Sequence, residues 1–210
     1  MYTSHQRNAA SCTRQKVRFN VAVAIVVGTM AWGTASGQSG VGQFDPLVRT
    51  SARRLAIAEQ VALSKWDSGA AVEDATREAQ VIQGAVTAGE ARGIDAASVT
   101  KFFRAQIEAN KVVQYSLLAE WRRQGSAPSH APINLAGVIR PELDQLQAEL
   151  VAELVDTKEI RSGARCRIEV ATAVGKYVAA HRNERSTLTE IGLDRALSES
   201  CADSVSQTSK

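Results

Sequence analysis

The chain has few residues that interrupt helices and no segment with the pattern of a β-strand. Its four prolines and 14 glycines are sparse inside the periodic segments. No stretch alternates between apolar and polar residues for long enough to predict a sheet. Alanine, leucine, glutamate and glutamine are abundant, and these residues favour helices. The sequence therefore predicts an all-α fold, and the roughly 170 residues that follow the N-terminal leader suffice for one domain.

The N-terminal leader has no acidic residue. It carries Arg7, Arg14, Lys16 and Arg18, then an apolar run over 21–32 and small residues over 33–37. This order is typical of a cleavable signal peptide, and the apolar run is shorter than the roughly 20 residues that span a bilayer. We predict a signal peptide over residues 1–35, cleavage near Ala35, and a periplasmic or secreted protein without membrane attachment. The alternative is an uncleaved membrane anchor.

The mature part of the chain has no excess of positive charge. Four of the 25 basic residues lie in the leader, which leaves 21 against 22 acidic residues. No basic stripe with interleaved aromatic residues remains in the sequence. We therefore expect no nucleic-acid partner.

Cysteine is also scarce. Cys12 lies in the leader, so the mature chain keeps Cys166 and Cys201. Two cysteines in an exported domain are most simply a disulfide. Metal ligation is the alternative, but His181 is the only nearby histidine and no spacing fits a zinc site. We predict a disulfide and no metal.

Apolar periodicity and turn residues divide the mature chain, 36–210, into six helices. Three helices over about 46–124 precede a linker over 125–134, and supporting C-terminal helices follow over about 135–205. The predicted bounds are 46–65, 71–91, a long third helix from the N-cap Asp95 to 123, 135–158 with its regular part from Pro141, 166–181 and 187–201.

Polar side chains interrupt the apolar faces of the first three helices. Each of them alone is compatible with a solvated face or a register device. Polar interruptions in three consecutive helices are harder to explain in this way, because a buried charge needs a partner. A bound anion is one candidate partner. The residues are Arg54 and Lys65, which are three turns apart on one face of the first helix, Asp74, Arg77 and Glu78 in the second, and Asn110 and Gln114 in the third.

The order and spacing of these residues resemble those of the all-helical chorismate mutases. The leader, the cysteine pair and Arg140 before Pro141 resemble the exported subclass of that family. The resemblance implies a type II-like fold, conversion of chorismate to prephenate without a cofactor, and a homodimer with each site built within one chain. The matching segments are Ala52-Arg53-Arg54-Leu55, Ser64-Lys65-Trp66, Val72-Glu73-Asp74 with Arg77-Glu78, Phe102-Phe103 to Gln106-Ile107, and Asn110 to Gln114-Tyr115-Ser116.

The resemblance also implies roles for the residues that would act on the substrate directly. Arg54 and Arg140 would bind its two carboxylates, for which the planar guanidinium is well shaped. Lys65 would bridge a carboxylate and the ether oxygen. Gln114 would donate to the same ether oxygen from the opposite side.

The remaining residues would complete the pocket. Asp74 and Glu78 would receive or position the ring hydroxyl, and Arg77 would order the pocket. Asn110 stands where the family commonly has a hydroxyl residue, and its amide could still donate to a carboxylate. Val81 is apolar where relatives can be polar.

Two alternatives to this function remain open. A catalytically silent binding or effector module could use the same scaffold. Missing cations would favour that alternative, but Arg54, Lys65, Arg77 and Arg140 are all present. A bifunctional enzyme is disfavoured, because the C-terminal part is short and no dinucleotide-binding fingerprint occurs.

Overall fold

The computed structural model describes residues 40–182 and 187–202, and every secondary-structure element within these ranges is helical, as predicted. Eight α-helical segments occur in these ranges. A 3₁₀ turn, Gly40–Phe44, precedes the first of them, and a π-helical turn, Leu135–Ile139, precedes the fifth. The predicted signal peptide and its cleavage site lie outside the described residues. The segments are α1 Asp45–Ala56, α2 Ala58–Ser68, α3 Ala75–Glu90, α4 Ala96–Gln124, α5 Arg140–Asp156, α6 Lys158–Arg161, α7 Cys166–Ala180 and α8 Thr187–Leu197.

The first predicted helix is not continuous. It is interrupted at Ile57, which separates α1 from α2. Next to this bend the backbone carbonyl of Arg54 accepts a hydrogen bond from Nδ2 of Asn110 at 3.1 Å. A side chain that bonds a helix carbonyl competes with the regular helical hydrogen bond and bends the helix. The prediction of one continuous helix over 46–65 was therefore wrong. The contact next to the interruption comes from α4, so the local sequence of this helix does not show it.

The fourth predicted helix is also divided. Its first five residues form the π-helical turn, and α5 begins at Arg140, followed by Pro141, which lacks the N–H that a regular helix would use. At the other end α5 stops before Thr157, whose hydroxyl donates to the carbonyl oxygen of Glu153 at 2.6 Å. The segment after Thr157 forms the short α6. The prediction of one continuous helix over 135–158 was therefore wrong. The regular part does begin next to Pro141, as predicted.

The other helix bounds agree more closely. α3 starts four residues later than predicted, because Asp74 caps it and its Oδ1 accepts the Arg77 N–H at 3.0 Å. α4 follows the predicted N-cap Asp95 and extends one residue beyond the predicted end. α7 ends one residue early, and α8 ends four residues before the predicted 201. The predicted linker over 125–134 is free of helix and begins at Gly125, whose φ of 82° is left-handed.

One apolar core joins α1, α3, α4, α5, α7 and α8. Gln106 of α4 is buried in it, and its Nε2 donates to Ser51 Oγ at 2.9 Å and to the Ala196 carbonyl oxygen at 3.1 Å. Gly192 allows α8 to approach α1, since a Cβ there would lie 2.7 Å from a methyl group of Leu55. These contacts fix α1 against α4, the two helices that carry Arg54 and Gln114.

The C-terminal segment is tied down by covalent and polar contacts. The structure contains the predicted disulfide, Cys166–Cys201, with an S–S distance of 2.02 Å. Arg161 is buried beside it, where its Nε donates to the Ser200 carbonyl oxygen at 2.5 Å and one of its terminal nitrogens to Ser98 Oγ at 2.9 Å. The last described residues are thereby held against the start of α4. In the described ranges no helix combines the length and apolar character needed to cross a membrane.

Candidate active site

The polar residues that interrupt the helix faces converge on one pocket. Its walls come from α1, α2, the segment before α3, α3 itself, the middle of α4, and the start of α5. Val81 lies in the α3 wall, as the sequence spacing implies. The structure brings together all eight predicted site residues, namely Arg54, Lys65, Asp74, Arg77, Glu78, Asn110, Gln114 and Arg140.

The charged side chains that line the pocket leave an excess of two positive charges. Such an excess attracts a small molecule with two negative charges. The lining includes three polar residues that were not predicted from the sequence, Lys111, Asp144 and Gln147. The last two follow Arg140 by four and seven residues, so helical spacing on α5 was the signal that could have found them. The cations are Arg54, Lys65, Arg77, Lys111 and Arg140, and the anions are Asp74, Glu78 and Asp144.

Arg54 is buried, with 5% of its surface exposed, and makes no ion pair within the described residues. One terminal nitrogen donates a long hydrogen bond, 3.5 Å, to the Leu143 carbonyl oxygen, and its Nε has no partner among the described residues. Burial, together with the nearby charge of Arg77, lowers the pKa of Arg54 to about 10. The guanidinium therefore stays charged at neutral pH, and a buried charge of this kind favours an anionic ligand.

Lys65 and Arg140 also lack a carboxylate partner in the part of the chain that the structure describes. Lys65 Nζ donates to the Val72 carbonyl oxygen at 2.5 Å, which holds the ammonium at the pocket wall. Burial lowers the pKa of Lys65, and the carboxylates of Asp74 and Glu78 partly oppose this shift. Arg140 is half-buried at the start of α5. Both cations are thus available to a bound anion.

The two other cations are paired. One terminal nitrogen of Arg77 lies 2.6 Å from Oδ1 of Asp144, which links α3 to α5. Lys111 Nζ lies 2.7 Å from Glu108 and 3.4 Å from Glu78. The excess positive charge is therefore located on the cations that have no carboxylate partner.

Two buried amides on α4 form a chain of hydrogen bonds. Gln114 Nε2 donates to Asn110 Oδ1 at 2.8 Å, and Asn110 Nδ2 donates to the Arg54 carbonyl oxygen. A carbonyl oxygen only accepts, so it fixes Asn110 with its nitrogen towards α1 and its oxygen towards Gln114. Gln114 must then present Nε2 to Asn110. Asn110 was expected to donate to a carboxylate, but one of its two N–H groups donates to the backbone carbonyl of Arg54 instead.

The acidic residues of the pocket shape the start of α3. Asp74 caps the helix, and its own N–H is bonded by Oε1 of Glu78 at 3.3 Å. The preceding Glu73 accepts a hydrogen bond from the hydroxyl of Tyr115 on α4, which lowers the pKa of Glu73. The segment that supplies the Val72 carbonyl to Lys65 is therefore anchored to two helices.

The chain is similar to known proteins of one family. The family model described as chorismate mutase type II matches residues 45–115. The secreted chorismate mutase of Mycolicibacterium smegmatis is 33% identical over 136 residues, which cover 64% of this chain and 74% of that protein. The crystal structure of chorismate mutase from Burkholderia phymatum is 46% identical with a TM-score of 0.74, covering 78% of this chain and 99% of that one. The chain belongs to the type II chorismate mutase family.

This membership confirms the predicted fold class and the predicted enzyme, a chorismate mutase. No finding favours the silent binding module. A secreted chorismate mutase of Mycobacterium tuberculosis is 28% identical over 135 residues, covering 64% of this chain and 67% of that protein. Because the curated relatives are named secreted enzymes, the predicted export is also confirmed. The family match includes every predicted site residue except Arg140, which α5 supplies from beyond it.

We predict that Asn110→Ala destabilises the chorismate mutase by about 1–3 kcal/mol, because it leaves buried polar groups on α1 and Gln114 without partners. Urea denaturation followed by circular dichroism measures this loss. Val112→Ala is the control, since Val112 is 37% exposed on the same helix and its truncation should change stability by about 0.5 kcal/mol or less. Equal stability of the two variants would contradict the bridging role of Asn110.

Proposed function

We propose that this chorismate mutase converts chorismate to prephenate by an intramolecular, Claisen-type rearrangement, the step that leads to phenylalanine and tyrosine. The observation that carries the proposal is the set of cations without carboxylate partners, Arg54, Lys65 and Arg140, around one pocket with Gln114. Chorismate is a dicarboxylate, and the excess of two positive charges suits it. The reaction has one reactant, so the enzyme has to hold its compact conformation and stabilise the charge that develops on the ether oxygen.

The arginines suit the two carboxylates. Arg54 is buried with a free Nε, and Arg140 is half-buried with a free guanidinium among the described residues. A guanidinium can donate two parallel hydrogen bonds to one carboxylate. Because Arg54 and Arg140 come from two different helices, α1 and α5, we propose that each arginine binds one carboxylate and that together they hold the substrate folded.

Lys65 and Gln114 suit the ether oxygen. The Nζ of Lys65 uses one of its three N–H bonds on Val72, and the remaining two can reach a carboxylate and the ether oxygen. Gln114 Nε2 uses one N–H on Asn110, which leaves its second N–H for the ether oxygen. The Arg54 carbonyl sets the orientation of this amide through Asn110, so the donor needs no reorganisation during the reaction.

The other predicted residues support the pocket in this proposal. Asp74 and Glu78 receive or position the ring hydroxyl from the start of α3. Arg77 orders the wall through its ion pair with Asp144. Asn110 orients Gln114. One N–H of the Asn110 amide donates to the Arg54 carbonyl oxygen, and the other is available to a substrate carboxylate.

We further propose that residues 36–210 form one domain after removal of residues 1–35, and that the exported protein is a homodimer with each site built within one chain. The core shared by six helices supports the single domain. The pocket is lined by residues of one chain, which supports a site built within one chain. The dimer rests on the family resemblance. Light scattering on the purified mature protein should give twice the mass of one chain, and a monomer mass would contradict the dimer.

The test of the proposed activity is to mix the mature protein with chorismate, without added cofactor, and to follow chorismate loss and prephenate formation. Lys65→Ala should lower kcat/KM by the equivalent of about 2–4 kcal/mol, because it removes a charged donor to the developing oxyanion. Lys176→Ala on the exposed side of α7 is the matched control and should leave kcat/KM unchanged. A wild-type rate in Lys65→Ala would refute the assigned role, and no prephenate from the wild type would refute the function.

The pH profile tests Gln114 at neutral pH and the buried cations at alkaline pH. A glutamine does not titrate, so kcat/KM should stay level between about pH 6 and 8. It should fall at alkaline pH below the ordinary lysine value of 10.5, because burial lowers the pKa of Lys65 and lowers that of Arg54 to about 10, and both residues act in their charged forms. Gln114→Glu should instead lose activity as pH rises through the range where the wild type is level, since only the protonated carboxyl donates. A steep neutral loss in the wild type would contradict the role of Gln114.

A further inference from the structure

One face of α5 lines the pocket beyond the residues that the proposed function uses. Arg140, Asp144 and Gln147 are separated by four and three residues, so their side chains project from the same side of the helix. Asp144 is engaged by Arg77, as described above, and Leu143 fills the space beside it. Gln147 is the last polar group along this wall.

The amide of Gln147 is unused. It is half-buried and lines the pocket, yet it makes no hydrogen bond with any residue in the described ranges. Gln145, two residues earlier, is exposed and donates to Glu149 at 3.2 Å. The two glutamines of one helix therefore differ in that one has a protein partner and the other faces the pocket.

The neighbouring helix α3 leaves room for this amide. On α3 the pocket is lined by the apolar Val81, and the next turn carries Gly84. A Cβ on Gly84 would lie 3.2 Å from Nε2 of Gln147, which is closer than most Cβ contacts. Gly84 thus leaves room for the amide against α3, on the side of the pocket where α3 offers no polar group of its own.

We propose that Gln147 is a substrate-binding residue and donates through Nε2 to a substrate carboxylate on the α5 side of the pocket. This inference rests on the proposed function, because it takes chorismate as the ligand. Nε2 carries two N–H groups, and a carboxylate can accept several hydrogen bonds, so Gln147 can act together with Arg140. The proposed partner of Gln147 is a carboxylate, whose charge is the same in the substrate and in the transition state, and not the ether oxygen, so this contact binds both equally.

Steady-state kinetics of Gln147→Ala with chorismate test the proposal. A contact that is equal in the substrate and the transition state changes KM and leaves kcat almost unaltered. Loss of a hydrogen bond to a charged group should raise KM about tenfold or more. Gln145→Ala is the matched control and should keep the wild-type KM and kcat. Thermal denaturation of both variants without substrate should give the wild-type Tm, which separates binding from folding.

Two further variants identify the contact. Gln147→Glu keeps the shape but replaces the donor by a negative charge, and should raise KM more than Gln147→Ala does, because it repels a carboxylate. Gly84→Ala adds a methyl group against Nε2 and should raise KM by a smaller factor. In the double variant Gly84→Ala with Gln147→Ala, the glycine change should have no further effect, since the group that it displaces is absent.

The outcomes separate this inference from the proposed function. If the wild type converts chorismate and Gln147→Ala keeps the wild-type KM, the inference is wrong and the function stands. A KM for Gln147→Glu at or below that of the wild type would also overturn it, because the group facing Gln147 would then not be a carboxylate. If the wild type does not convert chorismate, the proposed function itself fails.

Discussion

The hydrogen bond from Asn110 to the Arg54 carbonyl joins two walls of the pocket, the one formed by α4 and the one formed by α1. It lies next to the interruption at Ile57, with Arg54 in α1 before it and Lys65 in α2 after it. The same asparagine accepts from Gln114, so one side chain relates the backbone of α1 to the amide of α4. Because these groups are buried, loss of any one hydrogen bond leaves a polar atom without water. The geometry of the site is therefore coupled to the stability of the core.

Burial of charge gives the pocket its affinity for anions. Arg54 is buried with no carboxylate within ion-pair distance among the described residues, and its one side-chain hydrogen bond there is the long contact with the Leu143 carbonyl oxygen. An unpaired buried guanidinium is unfavourable by itself, and a bound carboxylate relieves that cost. Arg77 and Lys111 differ, because they already have partners in Asp144 and Glu78. The protein thus separates cations that maintain the walls from cations that are free to bind.

The sequence predicted the helices well where local signals decide them. Asp95 and Gly125 begin and end α4 through capping interactions that depend on a few neighbouring residues. Prediction failed at Ile57 and at Thr157, and at Ile57 the cause is a contact made by a residue more than fifty positions away. For the site, helical spacing placed Arg54, Lys65, Asn110 and Gln114 on inward faces, and all four line the pocket. Spacing within the first three helices could not show Asp144 or Gln147, because their relevance depends on where α5 packs.

The sequence by itself determined the fold class, the cysteine pair and the residue types of an anion-binding pocket. These follow from periodicity, composition and side-chain chemistry, which each residue carries with it. Only the tertiary structure decided which cations keep a carboxylate partner, how Asn110 orients Gln114, and that the amide of Gln147 lies against Gly84. Those features depend on how α3, α4 and α5 pack against each other, and such distances between side chains distant in sequence are not encoded in any local pattern.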